Sequence, residues 1–360
     1  MQWSVDSGAR AGIRSGRRYA LLNVSPPPDL QERVLRTVPK SFLGRGEVER
    51  RFRVRRFAGA AVHAQQLSHL RVVHLTDLHV GRMTPMKVQR TAIELTNRQE
   101  PHLVAITGDF VGHTQRYLEP LQSIVSSIAA PVVCVLGNHD HWAGGAEVGR
   151  ALRLAGAEVL SNSHTELTLR RQRVQVVGLD DAYTGQADWQ AAVRGLRVDL
   201  PSIGLSHIAE EADALWGAGV PLVLAGHTHA GMVTVARLHE LAIGRLAGHR
   251  YIHGLYGTRG AGAPGAGAVY VGAGVGAAVM PIRLGERSQR EVTLFELGCL
   301  PGTFREPLAE QIPAPGRVPT PRQVYRRAAR VVRNEQRRAR RTELLPTAGR
   351  ARRLGVREPG

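Results

Sequence analysis

Aspartate and histidine residues recur in this sequence in five short polar clusters, each of which follows a run of apolar residues. The clusters are Asp77-Leu78-His79, Gly108-Asp109, Gly137-Asn138-His139-Asp140, His207 and Gly226-His227-Thr228-His229. Imidazole and carboxylate groups together suit Mn, Fe, Zn or Ni, whereas Ca²⁺ prefers oxygen ligands alone. Ligands two residues apart on an extended loop can both turn toward one ion. The residue types therefore predict a metal site assembled from distant parts of the chain.

The apolar runs before these clusters predict β-strands whose carboxyl ends carry the polar residues. They span residues 72–76, 103–107, 132–136, 203–206 and 222–225. Helix-like stretches separate several of them, and near-continuous apolar strands alternating with helices are typical of sheets buried on both faces. The pattern predicts an α/β fold. Because ligands in such sheets bind beyond the carboxyl ends of the strands, we expect the five clusters to converge at one edge.

Charge divides the chain into a neutral centre and two basic ends. Residues 71–300 carry 20 basic and 20 acidic side chains, whereas residues 1–70 carry a net +8 and residues 301–360 a net +10. We predict a loose extension over 1–46, a folded domain over 47–300 and, beyond it, a basic tail that is largely disordered or partly helical. The neutral centre argues against nucleic acid as the partner, whereas the basic ends could contact an anionic membrane or form a solvated extension.

The sequence predicts neither a membrane-spanning helix nor a secretory signal. No stretch approaches the roughly 18 consecutive apolar residues that would span a bilayer. The apolar run Tyr19–Val24 is interrupted by Asn23 and precedes three prolines, whereas a signal core needs about 7–15 apolar residues. We expect a cytoplasmic protein, for which peripheral contact at the inner face of the membrane through the basic ends is one open alternative.

In their order and composition, the five clusters resemble the calcineurin-like metallophosphoesterase superfamily, whose pattern is D-x-H, G-D, G-N-H-D/E, H and G-H-x-H. All five blocks lie within residues 77–229, and the resemblance covers residues 50–300. It implies a four-layer αββα sandwich, in which two packed, mainly mixed β-sheets lie between helices. The implied substrate is a phosphate ester. The implied cofactors are two divalent metal ions, among which Mn, Fe, Zn and Ni are not distinguished.

The resemblance also implies which side chains hold the metal ions. One ion would be bound by Asp77, His79, Asp109 and His229, and the other by Asp109, Asn138, His207 and His227. Asp109 would bridge them, because the two oxygens of a carboxylate can hold two cations about 3.5–4 Å apart.

The same resemblance implies hydrolysis by a hydroxide bound to the metal ions. His139 would be a catalytic residue that stabilises the transition state or protonates the leaving oxygen. Asp140 would act beside it by orienting the His139 ring.

The local sequence is similar to one bacterial branch of phosphodiesterases, whose boxes read SDLH, GNHDYW and GHTHGGQ. Here the boxes read TDLH, GNHDHW and GHTHAGM, so Ala230 and Met232 replace the glycine and glutamine of that branch. Some members of the branch are anchored to membranes or act on lipid-linked substrates. The resemblance thus implies a phosphodiester or phosphomonoester substrate, which could be lipid-linked.

Two alternative functions remain open on the sequence. A nuclease of the same fold would use the charged ends to hold a polynucleotide, although the central domain is neutral and lacks interleaved surface aromatic residues. A non-catalytic scaffold would keep the fold without the chemistry. Such scaffolds typically lose metal ligands, whereas every block of the pattern is present here.

Overall fold

Two six-stranded β-sheets form the centre of the protein. The computed structural model describes residues 48–231, 247–260, 265–277, 283 and 288–344. The strands are β1 (Phe52–Ala58), β2 (Leu70–Leu75), β3 (Leu103–Thr107), β4 (Val132–Val135), β5 (Glu158–Leu160), β6 (Ser163–Leu169), β7 (Gln172–Gly178), β8 (Ser202–Leu205), β9 (Leu222–Ala225), β10 (Gly254–Gly257), β11 (Ala268–Val271) and β12 (Arg290–Leu297). The predicted extension over residues 1–46 lies outside the described residues, as do residues 345–360 of the predicted tail.

Helices cover the outer faces of the sheets. They are α1 (Ala61–Gln66), α2 (Met86–Arg98), α3 (Leu118–Val125), α4 (Asn138–Leu154), α5 (Trp189–Ala192), α6 (Ala212–Gly217) and α7 (Pro321–Leu344). Within the described ranges, no helix combines the length and apolar character needed to cross a bilayer.

Both sheets are mixed. The first has the order β1-β12-β2-β3-β4-β5, with β2 to β5 parallel and β12 antiparallel to β2. The second has the order β10-β11-β9-β8-β7-β6, with β11, β9, β8 and β7 parallel and antiparallel strands at both edges. The predicted α/β fold, with two mixed sheets between helices, is confirmed.

Three apolar layers hold the sandwich together. The middle layer joins the two sheets and contains Val72 from β2 and Ile203 from β8. The next residue of β2, Val73, belongs to the layer between the first sheet and helices α2 to α4. Since successive side chains of a strand point to opposite faces, a strand buried on both faces must be apolar at every position. This is why the central strands could be recognised as apolar runs.

The polar clusters lie beyond the carboxyl ends of parallel strands in both sheets. Backbone hydrogen bonds connect these strand ends: Asp77 N donates to Gly108 O over 3.1 Å, and His79 N to Asp109 O over 2.9 Å. The two sheets meet here as well, because the His207 ring Nδ1 lies 2.8 Å from Thr107 O at the end of β3. The expected convergence at one edge therefore involves two packed sheets.

Helix α4 begins earlier than the sequence pattern predicts. The helix-like pattern of the sequence starts at Glu147, nine residues after the observed first residue. The first residue of α4 is Asn138, and Asp140 Oδ2 accepts a hydrogen bond from Gly137 N over 2.9 Å, which stabilises the first turn. At Gly144 the backbone has φ 120°, so the helix is kinked there. This kink, at a paired glycine, hid the first turns of the helix from the sequence pattern.

Candidate metal centre

Four carboxylate and imidazole side chains form a first buried group at the sheet edge. They are Asp77, His79, Asp109 and His229, and one potential ligand atom of each lies within 4.8 Å of those of the others. The Nε2 atoms of His79 and His229 are 3.0 Å apart, and His229 Nε2 is 3.2 Å from Asp77 Oδ1. All four residues are buried. This arrangement could hold a metal ion.

A second group shares Asp109 with the first. Potential ligand atoms of Asp109, His207 and His227 also lie within 4.8 Å of one another. His227 Nδ1 is 3.2 Å from His207 Nε2, which in turn is 3.4 Å from Asp109 Oδ1. The other oxygen, Asp109 Oδ2, lies 3.4 Å from His79 Nε2. The two oxygens of one carboxylate therefore face two different sets of imidazole nitrogens.

The backbone at these residues adopts a conformation that non-glycine residues seldom take. The predicted ligands with positive φ are Asp77 (52°), His79 (44°), Asp109 (54°), His227 (73°) and His229 (51°). Left-handed conformations of this kind are uncommon in non-glycine residues, and strained backbone clusters at functional sites. The fold thus holds these side chains in place at a local cost.

Close backbone packing brings the loops together. A β-carbon on Gly108, which has φ 78°, would lie 2.6 Å from His207 Nδ1 and 2.8 Å from the Gly137 Cα. Only glycine fits at such a distance. The lack of a side chain at residue 108 therefore lets the backbone at this strand end approach His207 and Gly137 closely.

Two buried oxygen atoms test whether the residues suit a cation. Among the described residues, neither Asp77 Oδ1 nor Asn138 Oδ1 has a hydrogen-bond partner. A buried acceptor without a partner is costly, and a metal ion satisfies it. Asn138 also adjoins the shared carboxylate, since the next residue, His139, donates its backbone N–H to Asp109 Oδ1 over 2.9 Å. The donor set of carboxylates, imidazoles and one amide therefore fits a transition-metal ion.

The charges of the groups are coupled. Although burial alone would raise it, the neighbouring His207 and His139 hold the pKa of Asp109 well below its usual range. Burial and the Asp109 carboxylate raise the pKa of Asp140 to about 7. Burial alone would lower the pKa of His207, but the Asp109 carboxylate raises it to about 10. Asp109 is thus an anion in the folded protein, which is the state that a metal ligand requires.

The two predicted catalytic residues lie beside the shared carboxylate but make different contacts from those expected. His139 Nδ1 lies 2.7 Å from Gly112 O, so the ring donates this N–H to a backbone carbonyl. Asp140 accepts hydrogen bonds from Gly137 N over 2.9 Å and from Val111 N over 3.1 Å. Among the described residues no hydrogen bond joins Asp140 to the His139 ring. Gly112 orients that ring, and Asp140 instead holds two loops together.

An aromatic rim, formed by Trp142 and Tyr183, was not predicted from the sequence. The Trp142 ring centroid is 4.9 Å from that of His139, and the Tyr183 centroid is 5.0 Å from that of His227. The two rings also contact one another, with centroids 6.0 Å apart. Trp142 is the last residue of the GNHDHW box, and its place in that box is the sequence signal that could have pointed to it.

Helix α7 packs onto this aromatic rim. Asn334 Nδ2 and Arg338 Nη1 both donate to the Trp142 carbonyl, over 3.1 and 2.9 Å. The sequence predicts a basic helix here but not its position, because the Trp142 carbonyl that accepts these hydrogen bonds is 192 and 196 residues away along the chain.

Other residues near the clusters have distinct contacts. His113 lies beside His139, with ring centroids 4.4 Å apart, and lines a cavity of about 410 Å³ together with His79 and Tyr117. His141 Nε2 is 2.6 Å from Asp180 Oδ1. The cavity reaches the metal centre at His79, so a substrate group could occupy it.

The chain is similar in sequence to known phosphoesterases. The family model of calcineurin-like phosphoesterases matches residues 70–231. The chain is 30% identical over 235 residues to the phosphodiesterase YaeI of Escherichia coli, covering 63% of this chain and 82% of that protein. It is 28% identical over 233 residues to the metallophosphoesterase YkuE of Bacillus subtilis, covering 63% and 78%. Among solved structures, a 5′-nucleotidase precursor from Thermus thermophilus matches with 16% identity and a TM-score of 0.42, over 76% of this chain and 59% of that one.

Proposed function

This chain belongs to the calcineurin-like phosphoesterase family and is a hydrolase, and we propose that it cleaves a phosphodiester or phosphomonoester at a pair of divalent metal ions. One ion would be held by Asp77, His79, Asp109 and His229, and the other by Asp109, Asn138, His207 and His227. The substrate could be lipid-linked. Membership of the family supports a phosphate ester as the substrate and does not specify its alcohol.

The observation that carries the proposal is the position of Asp109 between the two groups. Its Oδ2 atom faces His79 Nε2 and its Oδ1 atom faces His207 Nε2, each at 3.4 Å. A carboxylate with both oxygens directed at separate imidazole sets is suited to bridge two cations. A single-metal site would not require ligand atoms of both His207 and His227 to lie within 4.8 Å of a ligand atom of this carboxylate.

The chemistry of the bound ions would be to neutralise charge on the phosphoryl oxygens and to acidify the attacking water. The protein positions the remaining groups. Because the His139 ring donates its Nδ1–H to Gly112 O, Nε2 is the nitrogen left to carry the proton for the leaving oxygen. Trp142 packs against the His139 ring and limits its rotation. Asp140 fixes the loops that carry Gly137 and Val111, and so acts as a positioning residue.

Metal content and turnover test this proposal together. The protein loaded with Mn²⁺ should bind about two ions per chain and hydrolyse bis(p-nitrophenyl) phosphate or p-nitrophenyl phosphate, and a chelator should abolish turnover. Asp109→Ala should lose both metal and activity, since it removes the shared ligand. His139→Ala should keep the metal but lower kcat by about 100-fold or more.

The half-buried His164, on strand β6, provides a matched control outside the site. His164→Ala should retain metal and turnover. Binding of a single ion by the wild-type protein would refute the dinuclear centre. Bound metal without hydrolysis of either ester would support the scaffold instead, and a strong preference for oligonucleotides would support the nuclease.

We also propose that the protein lies at the cytoplasmic face of the membrane and contacts anionic lipid through the outer face of α7. The exposed arginines of this face are Arg322, Arg326, Arg333, Arg337 and Arg340. In the same stretch of the helix, Tyr325 is 74% exposed and Val332 is 51% exposed. Such a helix can bind a membrane surface by charge attraction and shallow apolar insertion.

Vesicle sedimentation tests the membrane contact. Binding to phosphatidylglycerol vesicles should exceed binding to phosphatidylcholine vesicles and should weaken as salt is raised. Arg326→Gln with Arg333→Gln should reduce it. Equal binding to both kinds of vesicle would contradict the proposal.

A further inference from the structure

Two arginines of α7 lie at the aromatic rim of the metal centre. The Arg330 guanidinium carbon is 3.9 Å from the centroid of the Trp142 ring, and that of Arg327 is 3.8 Å from the centroid of the Tyr183 ring. These distances are those of cation–π contacts. Each guanidinium is therefore one aromatic ring away from a histidine of the site, His139 in one case and His227 in the other.

No carboxylate of the described residues forms an ion pair with either guanidinium. Within the described part of the chain, the ion pairs include neither Arg327 nor Arg330. Their charge acts on the site, since Arg330 adds to the effect of burial in lowering the pKa of His113. His113 in turn lies against His139. Among the described residues, these two positive charges have no acidic partner, and they lie at the aromatic rim beside the candidate metal centre.

Holding the helix in place does not require these two charges. Val331 is buried at 6% exposure on the inner face of α7. Asn334 and Arg338, one and two turns further on, bond to the Trp142 carbonyl. Arg327 lies one turn before Val331 on the same face, and Arg330 lies at its border. The helix is anchored by its other residues, which leaves the donors of Arg327 and Arg330 available for a ligand.

Guanidinium groups bind phosphate and carboxylate through several parallel N–H donors, and stacking on an aromatic ring holds the donor plane in position. Resting on the proposed phosphoesterase function, we propose that Arg327 and Arg330 form a second anion site, which binds a phosphate of the substrate other than the one that reacts. The preferred substrates are then phosphate esters with an additional phosphate on the same molecule. The two arginines lie outside residues 70–231, the part of the chain that matches the family.

A pair of substrates that differ only in the second phosphate tests this site. Thymidine 5′-(p-nitrophenyl phosphate), with and without a 3′-phosphate, releases the same chromophore from the same reacting group. With Mn²⁺, the wild-type protein should have the higher kcat/KM for the 3′-phosphorylated ester. In Arg327→Gln with Arg330→Gln, the ratio of the two kcat/KM values should fall at least about tenfold, because charge-assisted hydrogen bonds are lost.

Two further variants separate binding from damage to the fold. Replacement of both arginines by lysine keeps the charge but not the planar donors, and should lose part of the preference. Arg150→Gln with Arg194→Gln removes the same charge from exposed positions elsewhere and should leave the ratio as in the wild type. An equal fall of both rates in the Arg327/Arg330 variant would overturn the proposal, since it would show that the arginines act through the fold.

Binding measurements keep this test independent of turnover. If neither ester is hydrolysed, the proposed function fails, but calorimetry can still compare thymidine 3′,5′-bisphosphate with thymidine 5′-monophosphate on the Mn²⁺-loaded protein. The bisphosphate should bind at least about tenfold more tightly, and this difference should vanish in the double glutamine variant. Equal affinities in the wild type would overturn the second anion site. The proposal would also be overturned if the double glutamine variant no longer bound phosphatidylglycerol vesicles but kept the wild-type ratio of the two kcat/KM values. The arginines would then bind a lipid surface.

Discussion

Gly226 lies so close to Thr76 that a β-carbon on residue 226 would overlap the threonine hydroxyl. The same β-carbon would lie 2.5 Å from Asp77 Oδ2. The Thr76 hydroxyl is itself 2.8 Å from Asp77 Oδ2, and His227 N donates to that oxygen over 3.0 Å. The absence of a side chain at residue 226 therefore lets the ends of β2 and β9 approach, and this approach sets the position of Asp77.

Gly226→Ala should displace Asp77 and weaken the fold. Because the new methyl group meets packed atoms, we expect the free energy of unfolding to fall by about 1–3 kcal/mol. Metal content should fall as well. Urea unfolding and metal analysis of the purified variant measure both effects. Gly217→Ala is the matched control, since no atom lies within 4 Å of its added carbon. It should leave metal binding intact, and an equal effect of both variants would contradict the packing explanation.

Metal binding should stabilise the folded protein. At a free Mn²⁺ concentration of about 100 times Kd, the free energy of unfolding should rise by about 2.7 kcal/mol. Asp109→Asn should abolish this increase, because a neutral amide replaces the anionic carboxylate that both groups share. Thermal unfolding with Mn²⁺ and with a chelator measures the difference. Asp199→Asn, which alters an exposed ion pair with Arg197, should retain it.

Asp140→Asn should separate loop positioning from metal binding. The carboxylate accepts from both Gly137 N and Val111 N, whereas an amide has one oxygen and would turn its NH₂ toward one of these donors. The buried donor left without a partner should lower the free energy of unfolding by about 1–3 kcal/mol. Urea unfolding of the metal-free protein provides the measurement. A change below about 0.5 kcal/mol, as is usual for surface substitutions, would contradict this role.

His63 should make the stability depend on pH away from the metal centre. Burial lowers its pKa from 6.5 to about 4, although its contact with Ser202 O opposes the shift. Between these values the unfolded chain binds the proton and the folded one does not. The stability is therefore fully present above pH 6.5 and falls as the pH approaches 4, by about 3 kcal/mol for this group.

His63→Gln should reduce this acid-induced loss, because glutamine can still donate to Ser202 O without taking up a proton. Urea unfolding at pH 7 and pH 4.5, without metal, gives the comparison. The half-buried His164, which contacts Ala192 O, provides the control as His164→Gln. An identical pH dependence in the wild type and the His63 variant would show that His63 does not carry the effect.

The sequence was sufficient to predict the central strands and the chemistry at their ends. Strands β3 and β9 begin and end where their apolar runs do, because a strand buried on both faces is largely apolar and is followed by a glycine. The strands without such a run are β1, β5, β6 and β10, each at the edge of a sheet. Edge strands are paired on one side only, so their sequences carry a weaker signal.

The metal-binding residue types and their order are local features, since each cluster directly follows its strand. The sharing of Asp109 between two imidazole groups depends on the packing of one sheet against the other. Likewise, Arg330 reaches Trp142 only because α7 docks on α4, far away along the chain. A strand end is specified by neighbouring residues, whereas contacts between distant side chains arise from the shape of surfaces that exist only after the chain has folded.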